Sequence, residues 1–152
     1  MVRKATKYDI PSITVLYREQ FREMAKLIPD FIKEGDQSVE FLESTVISEE
    51  SDILVCEENG TVIGFILLQA KVRPDFAFVI SGKYCYIMDI IVTENHRRKG
   101  YGTELMNSAM DWARERGCNF INLDVLTNNP EAIRLYKKLG YTAKAQEMYI
   151  KL

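Results

Sequence analysis

In the stretch IPSITVLYREQFREMAKLI, Ile13, Leu16, Tyr17, Phe21, Met24 and Leu27 recur every three or four residues. That is the spacing of one helix face. Thr6 and Asp9 stand just ahead, three apart, as a capping box with Asp in place of the more usual Glu. Before them, VRKAT predicts a short strand. Pro29 and Gly35 interrupt the pattern, and SVEFLESTVI predicts a second, shorter helix. The period then changes. DILVCEENGTVIGFILLQAKV is two apolar runs about Asn59-Gly60, a strong two-residue hairpin signal. GKYCYIMDIIVTE is a third β-rich run that ends before His96. GTELMNSAMDWARERGC places Leu105, Met106, Ala109, Trp112 and Ala113 on one helical face, with Gly117 where a C-cap belongs. NFINLDVLT predicts another strand. Asn129 as N-cap and Pro130 in the first turn open a helix through EAIRLYKKLG, and YTAKAQEMYIKL closes the chain with β-like character.

The predicted order is β-α-α-β-β-β-α-β-α-β. Consecutive strands come early and strand–helix alternation late, which implies a mixed α/β sheet with helices on its faces. The 152 residues suit one domain, taken as 1–152, and 47% hydrophobic content is enough for a core. Lys and Arg (20) nearly balance Asp and Glu (22), which argues against a dedicated nucleic-acid binder. Cys56, Cys85 and Cys118 are scattered and form no CxxC pair. With His96 the only histidine, neither a disulfide framework nor a metal site is expected. No apolar run is long enough to span a bilayer and the first residues lack a signal-peptide core; a soluble, cytoplasmic protein is the expectation.

The stretch RRKGYGTE sits between a predicted strand and a predicted helix. A glycine-containing turn there presents unpaired N–H groups and the positive end of the helix dipole, which suits a phosphate or pyrophosphate. Gly100 and Gly102 let the main chain approach an anion, with Arg97, Arg98 and Lys99 adding charge at the rim. A Walker loop would need a lysine after its last glycine, and a dinucleotide fingerprint would need glycine where Leu105 stands. Taken by itself, the stretch is equally a charged turn.

Arg97-x-x-Gly100-x-Gly102, after a strand ending in Val92, resembles the acetyl-CoA loop of the GNAT N-acetyltransferase superfamily. NNPEAIRLYKKLGY downstream resembles that superfamily's second signature, and the order of elements matches its fold across essentially the whole chain. The resemblance implies a mostly antiparallel sheet, splayed after the loop-bearing strand and flanked by about four helices. It implies acetyl transfer from acetyl-CoA to a primary amine, on a small metabolite or on a protein N-terminus or lysine. It further implies that main-chain N–H groups of Arg97, Arg98, Lys99, Gly100, Tyr101, Gly102 and Thr103 hold the CoA pyrophosphate. Ile90, Ile91 and Val92 would pair with pantetheine, and Asn129 would contact the cofactor arm while also capping a helix. Tyr136 stands at the position whose hydroxyl protonates the departing thiolate.

A carboxylate, or a water chain ending on one, must take the amine's proton. Asp89, in the strand entering the site, and Asp124, interrupting FINLDVL, are the two candidates. Met88 stands where certain polyamine-acetylating members have a glutamate, which weakens that substrate reading. Structural roles remain open for both aspartates and for Tyr136, and His96 is expected as a loop residue near the CoA mouth. Phe76, Phe78, Tyr84 and Tyr86 are open between acceptor pocket, sheet core and dimer contact. Acceptor choice is expected to fall to residues 21–41 and 71–83, which name no substrate. Homodimers are common in the family. A CoA-binding sensor with little turnover is the alternative from another class.

Overall fold

The computed structural model describes residues 1–152. One five-stranded sheet runs in chain order: β1 (Val2–Lys4), β2 (Ser51–Glu58), β3 (Thr61–Val72), β4 (Lys83–Val92) and β5 (Phe120–Leu123). The first four pair antiparallel and β5 lies parallel to β4. Helices α1 (Ile10–Leu27) and α2 (Val39–Ile47) cover one face, and α3 (Tyr101–Glu115) and α4 (Pro130–Lys138) the other. No helix is long and apolar enough to cross a membrane.

Most predicted elements form where the pattern puts them, and the local reasons are visible. The Thr6 hydroxyl accepts from the Tyr8 amide and the Asp9 carboxylate accepts from the Thr6 amide, closing the capping box. Asn59 (φ 50°) and Gly60 (φ 78°) supply the two left-handed residues that turn β2 into β3. Two predictions are corrected. The strand read from NFINLDVLT is confined to Phe120–Leu123, because Asp124 and Val125 beyond it are exposed. The β-like end forms no strand: residues 142–152 have no regular structure and are exposed throughout.

Alternation along the strands sorts the sheet into two cores. Ile53, Val55, Phe65 and Leu67 face α1 and α2, where Ile13, Leu16, Tyr17 and Leu42 meet them. Leu54, Cys56, Ile66 and Leu68 face α3 and α4, against Leu105, Met106, Ala109 and Trp112. In β4 this alternation breaks. Leu67 pairs with Asp89 and Leu68 with Ile87, so Met88 is an extra residue, a β-bulge. Before it, Cys85 and Ile87 belong to the α3/α4 core; after it, Ile91 belongs to the α1/α2 core. The bulge thus turns Asp89 toward α1. It also marks the splay: β5 pairs with β4 only as far as Ile87, and β4 continues to Val92 with β3 alone beside it.

Candidate active site

The loop between β4 and α3 is held rigidly. Its first part is a 3-10 turn, Glu94–His96, in which the Arg97 N–H donates to the Glu94 carbonyl at 3.2 Å. The Arg97 guanidinium turns back to α1, donating to Glu23 Oε1 at 2.6 Å and to Glu19 Oε1 at 3.4 Å; its Nε donates to the Val92 carbonyl at 2.8 Å. This corrects the reading of Arg97 as a phosphate-side residue: both its amide and its side chain are used inside the fold. His96 is likewise engaged by Glu58, 3.0 Å away, and not turned to a ligand.

From Arg98 onward the main chain is different. Arg98 (φ 64°) and Gly100 (φ 94°) are both left-handed, and Gly100 is the N-cap of α3. The N–H groups of Arg98, Lys99, Gly100, Tyr101, Gly102 and Thr103 donate to no backbone or side-chain acceptor; the ladder starts with Glu104 N–H on the Gly100 carbonyl at 3.0 Å. Successive free amides at a helix N-terminus make an anion-binding concavity. The side chains are held clear of it: Tyr101 Oη donates to Glu58 and Arg98 pairs with Glu131 at 3.7 Å. Gly102 packs close to α4, where a Cβ would stand 3.4 Å from Leu135.

The splayed end of β4 leads from this loop into the sheet. Ile91 is buried against α1, and Ile90 and Val92 pack against the α3/α4 core. Asp89 follows, half-buried beneath α1. Tyr17 Oη donates to its Oδ2 at 2.8 Å and Gln20 Nε2 to its Oδ1 at 3.1 Å. Burial disfavours the carboxylate and pushes its pKa up to about 6, with the two hydrogen bonds pulling back only part of the way. Tyr17 itself is held well above the ordinary phenol range, by burial first and then by the charge of Asp89.

Asp124 lies just past β5, across the splay. It is exposed and accepts a hydrogen bond from Tyr86 Oη at 2.9 Å. That phenol is raised to about 12, by burial first and then by its bond to Asp124. Tyr136, on α4, is buried at the edge of the α3/α4 core, its ring 5.9 Å from that of Tyr141. Burial alone raises its hydroxyl to about 12, so it stays a proton donor through the physiological range. Asn129 caps α4, its side-chain oxygen accepting the Ala132 N–H at 3.3 Å. Of the other aromatics, Tyr84 stacks on Phe120 (5.3 Å), while Phe76 and Phe78 stack on each other (5.6 Å), exposed in the β3–β4 loop.

Three residues of the site escape sequence reasoning. Tyr17 and Gln20 read as ordinary helix positions, although a phenol on the apolar face of α1 is a signal that something polar waits below. Gly64 sits inside an apolar strand, a pattern that marks close backbone approach. A Cβ there would stand 2.6 Å from the Ile91 carbonyl, so only glycine lets β3 lie this close to the splayed strand.

Comparison with known proteins fits this geometry. The Acetyltransferase (GNAT) family model matches residues 10–141. The chain is 32% identical over 92% of its length to an uncharacterised N-acetyltransferase, YhfO, of Bacillus subtilis, covering 88% of that protein. It is 28% identical over 95% of its length to an L-methionine sulfoximine/L-methionine sulfone acetyltransferase of Salmonella typhimurium, covering 81% of that protein. Among solved structures, a tetramutant of the BH1408 protein from Bacillus halodurans superposes with a TM-score of 0.95 at 23% identity, over 100% of this chain and 99% of that one.

Proposed function

We propose that this chain, which belongs to the acetyltransferase (GNAT) family, transfers acetyl from acetyl-CoA to a primary amine of a small metabolite or a peptide. The observation that carries the reading is the run of free amides from Arg98 to Thr103, set at the mouth of a splay whose floor holds Asp89. The amides suit a pyrophosphate. The unpaired side of β4 beyond Ile87 suits the amide-bearing pantetheine arm, with Ile90 N–H a donor for the thioester oxygen. Relatives named for aminoglycosides and for amino acids support an amine acceptor without choosing between these classes.

In this reading the acceptor nitrogen attacks the thioester carbonyl and the C–S bond breaks from the tetrahedral adduct. The nitrogen's proton passes to Asp89, directly or through one water. The departing thiolate takes a proton from Tyr136. Asp89 is preferred to Asp124 as base because a carboxyl titrating near 6 is basic enough to accept a proton yet ionised at neutral pH. Asp124 instead fixes Tyr86 at the splay, a part of the acceptor wall. Tyr17 and Gln20 position Asp89. The test is thiol release from acetyl-CoA across polyamines, amino acids, an aminoglycoside, and peptides with free N-termini or lysines. Turnover on one class is the expected result. Acetyl-CoA binding without turnover on any amine would overturn it in favour of a CoA sensor.

A further inference from the structure

Beyond Ile87, β4 has a sheet neighbour on one side only, because its pairing with β5 stops there. α1 lies under this stretch. Asp89, Ile91 and Thr93 are alternate residues and share the face turned to α1, where Ile91 joins the core around Tyr17. α1 grips that face at both ends. At one end Tyr17 and Gln20 hold Asp89. At the other, Glu19 Oε2 accepts from Thr93 Oγ1 at 2.8 Å, and its Oε1 accepts from the Glu94 N–H at 2.8 Å. The two grips are four residues of β4 apart, about 13 Å along a strand.

The second grip fixes the start of the anion loop. Glu94 opens the 3-10 turn that leads into it, and Thr93, the N-cap of that turn, makes no side-chain cap bond of its own. Glu19 supplies the cap from another helix. The same Oε1 also accepts from Arg97 Nη2 at 3.4 Å, one residue before the free amides begin. Arg97 has further partners in Glu23 and the Val92 carbonyl, whereas the Thr93 hydroxyl and the Glu94 N–H donate to Glu19 alone. The Glu19 side chain is 23% exposed, so water competes only in part for these bonds.

We infer, on the acetyl-transfer reading, that Glu19 is a positioning residue: through α1 it sets the anion loop at a fixed distance from Asp89, so that an acetyl group on a cofactor seated at the loop reaches the base. Glu19 bonds neither to the free amides nor to Asp89; it acts through Thr93 and Glu94. Without it, the free end of β4 can slide on α1. The turn then loses its cap, and the bonds from Tyr17 and Gln20 to Asp89 lengthen. Those bonds favour the ionised carboxylate, so weakening them raises its titration midpoint above about 6. Tyr86, a second phenol near Asp89, is bonded to Asp124 and not to α1.

The test compares wild type, Glu19→Ala and Glu19→Gln. The Asp89 carboxyl is titrated by carbon-13 NMR without ligand, acetyl-CoA binding is measured by calorimetry, and melts check folding. Glutamine can keep every bond: its Oε1 accepts from Glu94 and Arg97, and its Nε2 donates to the Thr93 hydroxyl, which rotates to accept. Alanine keeps none. The expected alanine variant is folded, binds acetyl-CoA about tenfold more weakly, and titrates Asp89 about half a pH unit or more above wild type. Glutamine should restore the midpoint and bring affinity to within about twofold. Thr93→Val, which deletes the hydroxyl and keeps the branched shape, should move the midpoint in the same direction as alanine at 19. A midpoint that neither Glu19→Ala nor Thr93→Val moves would overturn the proposal. So would a glutamine variant as impaired as the alanine one, since Glu19 would then act by its charge or as a proton acceptor. A wild type that binds no acetyl-CoA would overturn the acetyl-transfer reading instead, and the ligand-free titrations would still judge the grip of Glu19 on β4.

Discussion

Asp89→Asn should make the protein more stable and less active. A carboxyl that titrates near 6 in the fold, against 3.8 for the free group, costs about 3 kcal/mol to ionise there. Water reaching this half-buried group trims the figure to about 2 kcal/mol. The asparagine removes that cost and keeps the shape. It keeps its bonds as well: Tyr17 Oη still finds an oxygen, and Gln20, whose Oε1 is buried without a partner, flips to accept the new N–H. The sign follows from the raised pKa. The native aspartate contributes its full stability below pH 3.8 and loses it as pH rises through 6, so the gain from asparagine is absent near pH 4 and complete above about pH 7. At pH 8 the melting temperature should rise by about 4–8 °C. Turnover should fall by roughly a hundredfold or more. The wild-type kcat should drop about tenfold between pH 7 and pH 5 as Asp89 protonates, and the variant should lack that limb. Thermal melts and pH–rate profiles on the two proteins decide it. A lower melting temperature at pH 8, or near-normal turnover with the acid limb in place, would refute the reasoning.

Tyr136→Phe should lower kcat by roughly ten- to a hundredfold with acetyl-CoA affinity nearly unchanged; binding by calorimetry beside steady-state kinetics separates the two, and full turnover would remove Tyr136 as the acid. Gly102→Val should weaken acetyl-CoA at least about tenfold, since the side chain meets Leu135 at 3.4 Å and fills the approach to the free amides; unchanged affinity would undo the anion-loop assignment. Gly64→Ala should cost about 2 kcal/mol or more in urea unfolding, because the methyl would stand 2.6 Å from the Ile91 carbonyl; a neutral result would mean that β4 can shift there. Asp124→Asn should leave the acid limb of the pH–rate profile in place and change KM more than kcat; loss of the limb would move the base from Asp89 to Asp124.

The helices and the hairpin were legible because each is written locally. The apolar stripe of α1, the Asn59-Gly60 turn and the Asn129-Pro130 start act over a few residues, and the fold has no reason to override them. The anion loop was legible as a pattern, but not the division of labour within it. That Arg97 serves α1 depends on Glu19 and Glu23, far away in sequence. Asp89 and Tyr17 are likewise joined only by the packing of α1 on the sheet. The end of the chain misled for another reason. YTAKAQEMYIKL has a strand's composition, but a strand also needs a paired neighbour, and residues 142–152 make no backbone hydrogen bond to one.

The extra residue in β4 makes substitution and deletion different kinds of change at the same place. Met88 is exposed, so a range of side chains can stand there with little effect on folding. Removing the residue would alter only one exposed side chain, yet everything downstream would rotate half a turn about the strand. Asp89 would be driven into the apolar layer beneath α3, and Ile90 would lie under the Tyr17 hydroxyl. The spacing between Ile87 and Asp89 is thus under tighter constraint than the identity of the residue that fills it. Homologous sequences compared around this strand should vary freely in the letter at position 88 and hardly at all in length.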